Sequence, residues 1–247
     1  MTETTQNETL TQDLKESTNP AAQEHYERAD ELFDQDDFDG AIAECTKAIE
    51  LDANYAAAYY QRSRVYYRLG DYSRAIADLS EAIRLDPEYA VAYHERGGAY
   101  FNLDDNERAI ADFSKAIRLN PELAVAHYMR GRVYYYLDDD ERAIADLSEA
   151  IRLDPKMAPP RGNRGFLVHY MRDDFALAIA DLDEAIKLDL GTTDLCCFYY
   201  NRGLVHEIMG DAAKAKADFA KAKKLGYYKE LRRKTGVWKA LLWKLFG

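Results

Sequence analysis

Apolar positions along this chain recur with two periods, one nested inside the other. The short period is helical: Ala75, Leu79 and Ala82 fall on one face, as do Ala109, Phe113 and Ala116, and again Ala143, Leu147 and Ala150. The long period is 34 residues: AIADLSEAIRLDP fills residues 75–87 and returns at 143–155, with AIADFSKAIRLNP at 109–121 between them. Repetition on this scale marks an array in which each unit buries its apolar face against its neighbours. Extending the register places units at 22–55, 56–89, 90–123, 124–157, 158–192 and 196–229.

Each unit reads as two helices. Positions 20, 24 and 27 give the buried stripe of the second helix, and positions 4, 8 and 11 that of the first, as in Tyr59, Ser63 and Tyr66 or Tyr93, Gly97 and Tyr100. The small residue at position 8 predicts a close approach of the two helices. Gly70 and Gly210 fall where a first helix must stop, while Asp86-Pro87 and Asp154-Pro155 predict an N-cap followed by a helix-compatible proline. The fifth unit departs: Pro159, Pro160 and Arg161 replace the opening aromatic, one residue is added near 172–175, and Leu190 stands where proline is usual. Residues 193–195 then precede the sixth unit, which predicts a bend or loosened seam unless the array absorbs the change.

Composition and charge narrow the function classes. With 47% hydrophobic and 31% charged residues the chain is expected to fold and to be soluble. Residues 1–21 are expected to form a disordered polar tail, and the lack of a basic, apolar leader among them suggests a cytoplasmic location. Cys45, Cys196 and Cys197 show neither CxxC spacing nor an even count, which fits a reducing compartment. The formal charge of −11 is uneven: residues 1–213 carry 22 Lys and Arg against 42 Asp and Glu, whereas 214–247 carry 11 against 2. An acidic body argues against nucleic acid as the main partner, and the basic end keeps an acidic partner or a membrane surface in view.

Arginine stands at position 7 of every unit (Arg28, Arg62, Arg96, Arg130, Arg164, Arg202), and an acid recurs at position 23 (Glu44, Asp78, Asp112, Asp146, Asp181, Asp218). An unpaired charge at a helix seam is costly, so a pair locking each hairpin is the economical reading. A ladder for an anionic ligand is the alternative.

These positions resemble the tetratricopeptide repeat family, with an aromatic at 4, small residue at 8, aromatic at 11, Ala at 20 and 27, and Pro at 32, over residues 22 to about 229. The resemblance implies an all-α, right-handed superhelical solenoid of six helix-turn-helix repeats with a concave groove that binds a peptide or partner protein. In the family, positions 5, 9 and 12 line that groove; here they carry Tyr60, Arg64 and Tyr67, then Tyr128, Arg132 and Tyr135, with Tyr200 in the sixth unit. Tyrosine and arginine suit interface contacts, although packing between repeats would also use tyrosine. Asn163 and Asn201 at position 6 add hydrogen-bonding capacity. The family's Lys and Asn clamp for a C-terminal carboxylate is not matched, since Tyr26, Asp30, Gln61, Val91 and Glu95 stand in its place.

No HExxH, phosphate loop or GxSxG elbow accompanies the five scattered histidines, so neither an enzyme nor a cofactor or metal is implied. Residues 230–247 form a basic amphipathic segment, with Val237, Trp238, Leu241, Leu242, Leu245 and Phe246 on one helical face. Capping of the last repeat is its expected role, and a membrane or partner anchor the alternative. An interaction scaffold is therefore the leading expectation, and a peripheral membrane-associated assembly factor the second.

Overall fold

The computed structural model describes residues 17–172, 174–189 and 194–226, and among these it contains twelve α-helices and no strand. In chain order they are α1 (Pro20–Asp34), α2 (Phe38–Leu51), α3 (Ala56–Arg68), α4 (Tyr72–Leu85), α5 (Ala90–Asn102), α6 (Asn106–Leu119), α7 (Ala124–Tyr136), α8 (Asp140–Leu153), α9 (Ala158–Arg172), α10 (Phe175–Leu188), α11 (Leu195–Ile208) and α12 (Ala212–Lys224). Consecutive helices pair as hairpins, giving an all-α helical-repeat solenoid fold. Helix α1 begins at Pro20, capped by the Asn19 side chain, so it claims the last two residues of the expected tail. The rest of that tail up to residue 16, and the C-terminal segment 230–247 expected to cap the array, lie outside the described residues. The chain divides into two compact units meeting inside α7, the first ending at Ala126 and the second beginning at His127.

Turn chemistry sets the hairpins. Where the first helix ends in the first four repeats and the sixth, position 15 takes a left-handed backbone: Gly70 at φ 77° and Gly210 at φ 80°, as their glycines suggest, but also Asp36 at 58°, Asp104 at 60° and Asp138 at 61°. The next amide then reaches back to close the turn, as in Asp71 N–H to the Tyr66 carbonyl at 2.9 Å and Asp105 N–H to that of Tyr100 at 2.9 Å. That same aspartate caps the second helix with its side chain: Asp71, Asp105, Asp139, Asp174 and Asp211 accept from the amides of Arg74, Arg108, Arg142, Leu177 and Lys214. The expected N-caps at Asp86 and Asp154 are corrected. Asp86 ends α4, its amide bonding the Ala82 carbonyl, and its carboxylate accepts from Glu88 N–H at 3.1 Å to begin a short turn. Asp154 does the same after α8, with Lys156 N–H at 3.0 Å. The proline therefore sits in a turn, and α5 starts three residues later without a side-chain cap.

Within a hairpin the small residue at position 8 is a steric requirement. A Cβ on Gly97 would lie 3.0 Å from the Phe113 ring. Between hairpins, the isoleucine at position 28 of one repeat meets the start of the first helix of the next, and at the last junction the isoleucine at position 21 joins it. In the first unit Ile49 packs with Ala57 and Ala58, Ile83 with Val91 and Ala92, and Ile117 with Ala126. In the second, Ile179 and Ile186 pack with Val205 and Phe198. The seam of the irregular fifth repeat is closed by Phe198, 3% exposed, because Gly162 leaves room where a Cβ would come within 2.0 Å of its ring.

Candidate interaction faces

The arginine column is consumed by the fold. Arg96 donates through Nε to Asp112 Oδ2 at 2.7 Å and through Nη2 to Oδ1 at 2.9 Å, and its Nη1 reaches Ser80 Oγ in the preceding repeat at 3.1 Å. Arg62 grips Asp78 and Thr46, Arg164 grips Asp181 and Ser148, and Arg202 grips Asp218 and Asp183 in the same way. Arg130 makes the same fork to Asp146. Burial pushes the Asp146 carboxyl up, but hydrogen bonds from Arg130 and His127 outweigh it and hold the group below its usual range. The guanidinium groups of Arg62, Arg96, Arg164 and Arg202 thus each tie two hairpins, and their edges are spent on protein partners rather than offered to an anionic ligand.

The first repeat is the exception and corrects the expectation of six pairs. Arg28 is exposed, and Glu44 is held by Lys47 Nζ at 2.8 Å and by His25 Nδ1 at 2.5 Å. These bonds, Lys47 first, lower its pKa.

In the first unit the expected face separates into buried and accessible parts. Tyr60 is a correction: it is 1% exposed and stacked edge-on to Tyr89 at 5.1 Å, within a core of Leu79, Ala82, Ile83, Val91 and Ala92. Burial pushes its hydroxyl pKa far up. The aromatic at position 34 explains this, as Tyr26 meets Tyr55 in the same manner at 5.3 Å. Arg64 sits over the Phe33 ring at 4.5 Å, donates to Gln61 Oε1 at 2.7 Å and stands 3.5 Å from Asp30. Tyr67 is half-buried, its hydroxyl accepting from Asn102 Nδ2 at 2.8 Å and its ring edge-on to Tyr72. Arg68, 53% exposed, forms the rim of this cluster.

In the second unit Arg132 sits 5.7 Å over the Tyr128 ring, and Tyr135 is edge-on to Phe166 at 6.4 Å. Tyr200 packs on Phe219 at 5.4 Å beside Cys196 and Ala222. Asn163 and Asn201 are half-buried on the first helices of their repeats. Cys45 is a buried thiol whose pKa burial pushes up to about 12, which disfavours the thiolate; the sulfurs of Cys196 and Cys197 lie 3.9 Å apart with no disulfide between them.

Family models of the TPR repeat match residues 29–70 and 64–104, and those of the tetratricopeptide repeat match 90–123, 124–157 and 198–225. The chain belongs to the tetratricopeptide repeat family. No curated protein sequence matches it. Among solved structures it is similar to YrrB, a TPR protein with an unusual peptide-binding site, at 25% identity over 74% of this chain and 92% of that one, with a TM-score of 0.59. A MamA structure shares 26% identity over 68% of this chain and 91% of its own, with a TM-score of 0.60. PilF of Pseudomonas aeruginosa, at 16% identity, covers 87% and 97% with a TM-score of 0.75, a likeness of fold.

For this tetratricopeptide protein, several residues that shape the two faces were not singled out by sequence reasoning. Phe33, Gln61 and Asn102 complete the first cluster, and Phe166 supports Tyr135 in the second. The bridging hydroxyls had a readable signal, since Thr46, Ser80 and Ser148 all stand at position 25 of their repeats. Among the described residues no helix is long and apolar enough to cross a membrane.

Proposed function

We infer that the protein is an interaction scaffold whose first-helix faces hold an extended segment of a partner protein. The observation that carries this reading is the pair of aromatic-backed arginines, Arg64 over Phe33 and Arg132 over Tyr128, one on each unit. Each is a half-buried guanidinium already oriented by an aromatic ring, so little side-chain entropy is lost when it meets a carbonyl or carboxylate. Tyr67 and Tyr135 beside them supply apolar area with a polar tip, and Tyr200 at position 5 with Asn163 and Asn201 at position 6 add further contacts from the first helices of the second unit. Tyr60 contributes by packing rather than contact. The similarity to YrrB, whose site takes a peptide, supports the reading.

Selection from a random-sequence peptide display library is the test. Peptides enriched on the wild-type protein are expected to bind at least about tenfold more weakly to Arg64→Ala and to Arg132→Ala, with helicity unchanged. Equal binding to the double variant sinks the assignment of the face.

A further inference from the structure

The two ends of the repeat array are charged in a way that only the packing register makes visible. Position 3 is buried in five repeats as Ala58, Ala92, Ala126, Pro160 and Phe198, and position 10 as Val65, Ala99, Val133, Leu167 and Val205. In the first repeat these two positions are Glu24 and Glu31, both exposed. The following faces show the reverse. Positions 21 and 28 are isoleucine in the first five repeats (Ile42 and Ile49, Ile76 and Ile83, Ile110 and Ile117, Ile144 and Ile151, Ile179 and Ile186), and in the sixth they are Lys216 and Lys223, both exposed. The leading face of α1 thus carries acid, and the trailing face of α12 carries base, at the positions where consecutive repeats otherwise meet through apolar side chains.

The net charge of longer stretches follows the same pattern. Residues 22–55 carry 11 Asp and Glu against 2 Lys and Arg, and residues 214–247 carry 2 against 11, while each repeat between them is close to neutral. Charges of one sign at both ends would already have kept the array from growing end to end. Opposite signs go further, because they match when one molecule follows another.

We propose that this protein self-associates head to tail, the trailing face of α12 on one copy seating against the leading face of α1 on a second. Ile179 and Ile186 at positions 21 and 28 pack into one cluster with Phe198 and Val205 at positions 3 and 10 of the next repeat, and the same stacking sets Lys216 and Lys223 against Glu24 and Glu31. The contact is heterologous, so association continues past the dimer as concentration rises, into closed rings or open rows. It is carried by surface charge and is therefore weak and screened by salt.

Sedimentation velocity on the full chain tests this by charge exchange. Wild type is expected to show a weight-average sedimentation coefficient that rises with concentration up to about 100 µM at roughly 50 mM salt, and a constant monomer value at about 500 mM. A variant with Glu24→Lys and Glu31→Lys, and another with Lys216→Glu and Lys223→Glu, should each be monomeric alone. Mixing them, or combining all four exchanges in one chain, should restore association, which a general loss of solubility or of folding does not do. All four side chains are exposed, and circular dichroism checks that helicity is kept. Wild type that stays monomeric at low salt overturns the proposal, as does a four-exchange chain that stays monomeric. Two further outcomes overturn it as well: association only after residues 227–247 are removed, which assigns the trailing face to the chain's own terminus, and Lys216/Lys223-dependent binding to anionic lipid vesicles without self-association. Peptide selection on Arg64 and Arg132 reads a different surface, so either result stands without the other.

Discussion

At the scale of single residues the arginine bridges and the left-handed turn residues decide most. Arg96→Ala leaves Asp112 buried beside an empty site and is expected to cost about 2 kcal/mol or more in denaturant unfolding. Arg84→Ala, which removes only an exposed pair with Glu81, should fall within about 0.5 kcal/mol of wild type. Equal costs for the two would show that the bridges lock nothing. A complementary gain is expected at position 15, where Asp104→Gly and Asp138→Gly relieve a left-handed backbone and should each stabilise by up to about 1 kcal/mol. A melting temperature that drops instead would mean that these aspartates hold their turns through contacts worth more than the backbone relief. The arginine-acid pairing was legible from recurrence in step, yet the exception at Arg28 was not, because it depends on Lys47 and His25 reaching the Glu44 carboxylate in space.

Elements are governed by how closely helices approach. Gly162→Ala, ordinarily a gain in a helix, is expected to destabilise by about 2 kcal/mol because its Cβ collides with the buried Phe198 ring, and Phe198→Leu in the same chain should recover part of the loss. A stable single variant would show that α11 can shift away from α9 without cost. Hairpins, their lengths and the requirement for a small residue at position 8 follow from the 34-residue pattern. Caps were harder to place. An Asp-Pro pair looks like a helix start when the chain is read forwards, but the Asp86 amide completes the ladder of α4, which makes it an end.

For the whole molecule, pH reports two sets of groups in separate windows. His94 is largely buried against Phe113, its Nδ1 without a hydrogen-bond partner, and burial lowers its pKa to about 4. The unfolded chain binds that proton first, so stability present above an unfolded value of about 6.5 declines as pH falls towards 4. The carboxylates of Asp71, Asp105, Asp139 and Asp211, held low by backbone and side-chain hydrogen bonds from Arg74, Arg108, Arg142 and Lys214, contribute stability that is kept above about pH 4 and lost only below it. His94→Phe should therefore flatten thermal melts in the upper window and leave the acid limb in place; an unchanged slope between pH 6.5 and 4 would remove His94 as its cause. By itself the sequence determined the repeat, its helices and the chemistry available at positions 5, 7, 9 and 12, because periodicity and side-chain type are local properties. Only the tertiary structure decided that Tyr60 is core while Arg64 and Arg132 rest half-exposed on rings. It also decided that Glu24 and Lys223 occupy positions that stack elsewhere. The reason is that accessibility depends on what the neighbouring repeat covers, and a 34-residue motif reads the same whether or not a neighbour is there.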